Sequence, residues 1–182
     1  QVGQSAGRQI DCLADLGQAL GGPGLWRMQN GYALATEEGL VRVKALLDSA
    51  SEAERDALRG LLRIGVQHDV EVTGTDHLVT QVYGSALPVS YGTPPRHLWE
   101  PLARLVLEAS YEATLLAAQA RNIDKVYLTL LGGGVFGNET DWIADSILRA
   151  LSKVSGLDVG IVSYGQSSHF VRRIVADFER QG

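Results

Sequence analysis

The sequence predicts an α/β fold with a parallel or mixed sheet, and three observations carry that prediction. An apolar, β-forming run at 126–131 enters a glycine-rich loop, an amphipathic helix pattern follows at 142–154, and a second strand pattern at 159–163 leads into a closing helix at 170–178. Strands that alternate with helices are joined by right-handed crossovers, and ligands of such sheets bind beyond the carboxyl ends of the strands. Residues 132–138 and 164–168 stand at two such ends.

Along the chain, residues 8–20 read as a helix that Gly21-Gly22-Pro23-Gly24 terminates. Residues 37–48 and 51–62 read as two more, the second with Ser51 as its cap and Glu54 at capping-box spacing. Residues 70–72 and 78–83 are strands, and the turn chemistry of 73–76 between them predicts an antiparallel pair. Leu98, Leu102, Leu105, Val106, Ala109 and Ala113 begin an apolar stripe at three- and four-residue spacing that continues to Ala120, which marks a long helix started by Thr93-Pro94-Pro95. The run at 126–131 is apolar enough for a strand covered on both faces. Asn138 or Thr140 is expected to cap the next helix, and Gly156 to mark its end.

The loop Gly132, Gly133, Gly134, Val135, Phe136, Gly137 and Asn138 has the composition of a phosphate cradle. Glycines let the backbone lie against a ligand, and the helix that follows brings unpaired N–H groups and the positive end of its dipole. Phe136 adds an apolar face for a sugar or base. The same glycines also suit a tight strand-to-helix turn that binds nothing. The loop does not end in Gly-Lys-Ser/Thr and does not match GxGxxG, so ATP hydrolysis and dinucleotide redox chemistry are poor fits.

At 182 residues the chain, 1–182, is expected to form one domain with a continuous core. Hydrophobic residues at 45% and charged residues at 20% place it among ordinary globular proteins. A net charge of -5 offers no basic footprint for polymeric nucleic acid. No apolar run approaches the roughly 20 residues that span a bilayer, so no membrane partner is expected. The single cysteine, Cys12, is expected to be a small buried hydrophobe in a reducing, cytoplasmic setting.

Acidic candidates for catalysis are few. Asp69 and Glu71, at i and i+2 of a strand, would share a face, where like charges raise one pKa toward an acid or base role; solvated strand carboxylates explain them too. Asp11 and Asp15, one helical turn apart, form a second pair that an exposed helix face explains equally well. Glu139 and Asp141 suit a helix start. The four histidines have no metal-ligand spacing, and no metal or cofactor is expected. Ser85, Ser90 and Ser163 lie in no nucleophile motif.

The segment VYLTLLGGGVFGNETDW at 126–142 resembles the second phosphate-binding loop of macrodomains. With VTQVYGSALPVSY at 79–91, LVLEASYEATL at 105–115, VSYG at 162–165, DCLADLG at 11–17 and MQNGYAL at 28–34, it resembles a divergent branch of that superfamily. The best-studied members of the branch are bacterial effectors that remove ADP-ribose from arginine on ubiquitin. The resemblance implies a three-layer α/β/α fold with a mixed sheet, and as partner ADP-ribose or an ADP-ribosylated protein such as ubiquitin. It implies a cytoplasmic protein, or one delivered to a host cytosol. It assigns the pyrophosphate and distal ribose to the backbone of Gly132 through Asn138, with Phe136 beside the ribose, and an adenine contact to Ser163, Tyr164 and Gly165. Tyr164 would stack on the base or, on its own residue chemistry, serve as a core tyrosine. For removal of ADP-ribose the chemistry needs a positioned water, stabilisation of an oxocarbenium-like centre and a carboxylate, which nominates Asp69, Glu71 and Asp15. The earlier macrodomain segment, an Asn-bearing strand end and a first glycine-rich loop, has no match here. Either the chain is the C-terminal part of a longer domain, whose N-terminal part is missing or is a separate companion fragment, or the first half has been rebuilt; the first is expected.

Overall fold

The apolar stripe downstream of Pro95 folds as α4 (Arg96–Gln119), and the rest of the structure is built on it. The computed structural model describes Ser5, Gly7 and residues 9–181. Trp99, Leu102, Ala103, Leu107, Tyr111 and Leu115 of α4 are each no more than 1% exposed. A helix apolar over so much of its circumference must be enclosed. α2 (Glu37–Ser49) and α5 (Thr140–Lys153) pack against it, adding Leu40, Val43, Ile143 and Ile147 to the core. Each such aliphatic side chain contributes roughly 1.5–3 kcal/mol by its burial.

In the first half, α1 covers Ala14–Ala19, shorter than the predicted 8–20. Arg8 lies outside the described residues, and residues 9–13 are not helical. The Asp11 carboxylate accepts the Leu13 N–H at 2.9 Å, an Asx turn that competes with a helix there. Cys12 is half-buried, not the core residue expected. A hairpin that the sequence reading lacked follows, β1 (Trp26–Gln29) with β2 (Tyr32–Ala35). Asn30 and Gly31 both have positive φ, 51° and 82°, as a two-residue primed turn requires. Next, α2 starts on a Thr36 cap, and α3 (Glu52–Arg59) starts on the expected Ser51–Glu54 capping box.

β3 (Gly65–Glu71) and β4 (Leu78–Tyr83) form the predicted antiparallel pair, though β3 begins earlier than 70. β5 (Lys125–Leu128) and β6 (Asp158–Ile161) pair in parallel, with α5 as the crossover between them. β5 stops short of 131, and it is not covered on both faces: Val126 and Leu128 are buried while Tyr127 is 67% exposed. α6 (His169–Gln181) closes the chain against α5. The fold is thus mixed α/β, with antiparallel and parallel pairing in three two-stranded ladders among the described residues, compatible with an α/β/α arrangement. No helix among those residues is long and apolar enough to cross a membrane.

Arg59 ties α3 to α4. It is 7% exposed and donates to Glu108 at 2.7 Å, to Glu52 at 2.8 Å and to Asp56 at 2.6 Å. Burial by itself would lower its pKa, and the three carboxylates outweigh burial and hold it above its ordinary value. Arg149 of α5 joins the same cluster through Asp56 and Glu112.

Candidate anion-binding site

The end of β5 is led into the glycine loop by a tyrosine. The buried Tyr111 hydroxyl donates to the Thr129 carbonyl at 2.9 Å and accepts the Leu131 N–H at 2.8 Å. Burial raises its pKa well above that of free tyrosine, so it remains a donor at any physiological pH.

From Leu131 the chain turns at Gly132, φ 71°, and again at Gly137, φ 69°. Both turns are backbone conformations that side chains rarely adopt, and both are also tight: a Cβ would collide with Ala86 at the first and with the Ser90 hydroxyl at the second. Gly134, by contrast, has an ordinary φ and open space where its Cβ would be.

Four carbonyls of the loop are occupied: Gly132 accepts from Asn138 N–H at 3.0 Å, Gly134 from Gly137 N–H at 3.0 Å, Phe136 from Ser90 N–H at 2.9 Å, and Gly137 from Arg96 at 2.9 Å. Among the described residues, the N–H groups of Gly132, Gly134, Val135 and Phe136 make no hydrogen bond. α5 begins directly afterwards, with Glu139 as its N-cap and no side chain capping it, so its first-turn N–H groups are unpaired as well. Neither Asn138 nor Thr140 is the cap. The Asn138 side chain is instead buried, donating to the Leu87 carbonyl at 2.8 Å, because it serves to bind the loop to the 86–88 segment. Four open N–H groups beside an uncapped helix N-terminus are the features that favour an anion.

Aromatic and polar groups surround it. Phe136 packs edge-on with Tyr32 of β2 at 5.7 Å and Tyr91 at 5.6 Å, and those two meet at 5.5 Å. Sequence reasoning singled out Phe136 but not these partners, which come from distant segments. Val135 is exposed. Beyond β6, the Ser163 hydroxyl is buried without a hydrogen-bond partner, and so is Asn138 Oδ1. Tyr164 is fully exposed, which removes the core-tyrosine alternative, and Gly165 turns with φ 73°.

The candidate acids are dispersed. β3 carries a bulge between Gln67 and Val70, and Asp69 sits in it with φ 55°. The bulge breaks the strict alternation that would set Asp69 and Glu71 on one face, since Val70 and Glu71 pair with Val79 and Leu78 in a shifted register. Asp69 lines a cleft that also reaches Leu131, next to the loop, whereas Glu71 is exposed and does not line it. Asp15 is ion-paired with Arg63 at 2.5 Å. Asp11 lines a separate cavity of about 160 Å³ with Tyr32, Ser85 and Ser110. Ala86 and Leu87 form part of its wall and also touch or bond the glycine loop, so this cavity adjoins the anion site. Among the described residues no group of three or more His, Cys, Asp or Glu side chains is placed to hold a metal ion.

No family model matches the chain, and no curated protein does. Among solved structures it is similar to one titled alphavirus P23pro-zbd, at 22% sequence identity and a TM-score of 0.41. That match covers 62% of this chain and 17% of the other.

Proposed function

We propose that this protein binds ADP-ribose at the loop of Gly132 through Asn138 and removes it from modified protein side chains, arginine foremost, as the resemblance to the macrodomain branch implies. The observation that carries the proposal is the set of unpaired N–H groups on Gly132, Gly134, Val135 and Phe136, next to the uncapped start of α5. Hydrogen bonds to a charged group are worth about 1.5–3 kcal/mol each, enough for a few of them to hold a pyrophosphate. Phe136, with Tyr32 and Tyr91 behind it, faces the distal ribose, and Ser163, Tyr164 and Gly165 receive the adenine. Asp69, Glu71 and Asp15 are the carboxylates assigned to catalysis. The modified partner is an ADP-ribosylated protein such as ubiquitin, in a cytosol.

A second function, a reader that binds ADP-ribose without turnover, is favoured by one observation. Asp15 is ion-paired with Arg63, and Glu71 does not line the cleft that Asp69 lines. Amide chemical shifts recorded during titration with ADP-ribose test the binding step: Gly132, Gly134, Val135 and Phe136 should move together. Shifts confined to other regions would refute it. Release of ADP-ribose from arginine-modified ubiquitin, lost in Asp69→Asn with binding retained, separates hydrolase from reader.

A further inference from the structure

α5 begins between two carboxylates, and each is held by an arginine from another element. Glu139 is the N-cap of α5, and Asp141 stands in its first turn. Arg96, the first residue of α4, pairs with the Glu139 carboxylate and donates to the Gly137 carbonyl at 2.9 Å. Arg173 of α6 donates to Asp141 at 2.7 Å and lies over the Phe170 ring, 5.6 Å from its centroid. Among the described residues the two carboxylates make no other hydrogen bond.

Acidic side chains at a helix start are drawn to its open N–H groups and to the positive end of its dipole. In α5 the first intrahelical bond runs from the Ile143 N–H to the Glu139 carbonyl at 3.2 Å. The N–H groups of Thr140, Asp141 and Trp142, just before it, bond nothing among the described residues. Both acids lie within a turn of these donors, yet neither caps them. The four paired side chains are 46% to 71% exposed, and ion pairs so exposed add little to stability. Their effect is on where the two negative charges sit.

We propose that Arg96 and Arg173 are positioning residues that keep Glu139 and Asp141 off the N-terminus of α5, so that its N–H groups stay open to the phosphates of the ligand. This role rests on the reading of Gly132 through Asn138 as an ADP-ribose site. With Arg96 in place, the Glu139 charge is neutralised and anchored on the Gly137 side. Without it, the carboxylate is free to cap the helix, where it competes with a phosphate for the same donors.

The test has two arms. The first needs no nucleotide: in Arg96→Gln, hydrogen exchange of the Asp141 and Trp142 amides should slow at least about threefold as Glu139 caps the helix, and Arg96→Gln/Glu139→Ala should reverse this. The second measures binding of inorganic pyrophosphate and of ADP-ribose by calorimetry. Arg96→Gln should weaken both at least about threefold, and the double variant should bind within about twofold of the parent chain. Arg173→Gln and Arg173→Gln/Asp141→Ala should behave in the same way. A double variant as weak as Arg96→Gln would overturn the proposal, because Arg96 would then contact the anion itself or only brace Gly137. Unchanged exchange in Arg96→Gln would overturn it too. If the parent chain binds neither ligand, the ADP-ribose reading fails, and the exchange arm still decides whether Arg96 holds Glu139 off the helix.

Discussion

The hydroxyl of Ser90 occupies the position that a Cβ on Gly137 would need, while the Ser90 N–H holds the neighbouring Phe136 carbonyl at 2.9 Å. Ser90 thus helps to fix the loop from behind, alongside Asn138 and Arg96. Gly137→Ala meets both the hydroxyl and a positive φ, and is expected to cost more than about 1 kcal/mol of stability. Adding Ser90→Gly should recover part of that loss, the collision but not the φ strain, in chemical denaturation. Gly134→Leu is the contrasting variant: its site is open and its φ ordinary, so stability should change by less than about 1 kcal/mol. ADP-ribose affinity should nonetheless fall at least about tenfold, as a side chain intrudes among the free N–H groups.

Tyr111→Phe removes the hydroxyl that bonds both Thr129 and Leu131. The apolar ring stays, so the core should survive, with a loss of about 1–2 kcal/mol from the unpaired groups. Amide exchange at Leu131, whose N–H loses its acceptor, should quicken more than elsewhere. Uniform quickening across the chain would mean that the hydroxyl stabilises the fold generally and does not position the loop.

Tyr91→Ala takes away one of the rings that support Phe136. An aromatic pair is worth about 0.5–1.5 kcal/mol beyond its buried area. ADP-ribose affinity should weaken several-fold with AMP affinity little changed, because the ring acts on the distal ribose side. Equal weakening toward both ligands would place Phe136 elsewhere in the site.

The Arg59 cluster makes stability depend on acid. Burial would raise the Asp56 pKa, but hydrogen bonds from Arg59 and Lys153 and the charge of Arg149 outweigh it and hold the carboxyl below its ordinary value. Because the folded state resists protonation, this contribution is complete above the unfolded carboxylate's pKa of about 3.9 and is lost as pH falls below it toward the folded value. Asp56→Asn should cost on the order of 1 kcal/mol at neutral pH and flatten the acid arm of the stability profile. An unchanged acid arm would assign the loss to other carboxylates.

The elements that the sequence disclosed were those whose signals are local. The α4 stripe, the Ser51 capping box and the strand–loop–helix of 126–153 each follow from spacing along a few turns of chain. The β1–β2 hairpin was also written locally, in Asn30-Gly31, and its strands are so short that only the turn marks it. The β3 bulge was not legible: Asp69 carries no glycine to announce its positive φ. At the candidate site the glycines could be read off, but not the side chains that confine them. Ser90, Ala86, Tyr32 and Tyr91 reach the loop from segments 45 to 104 residues earlier, and only tertiary packing brings them there.

Calorimetric titration of this chain with ADP-ribose, with AMP and ribose 5-phosphate as controls, tests the central claim most directly. Saturable binding of ADP-ribose, tighter than either control and weakened in Gly134→Leu, is the expected result. A folded sample that binds none of the three, or binds all three alike and is indifferent to Gly134→Leu, would contradict it.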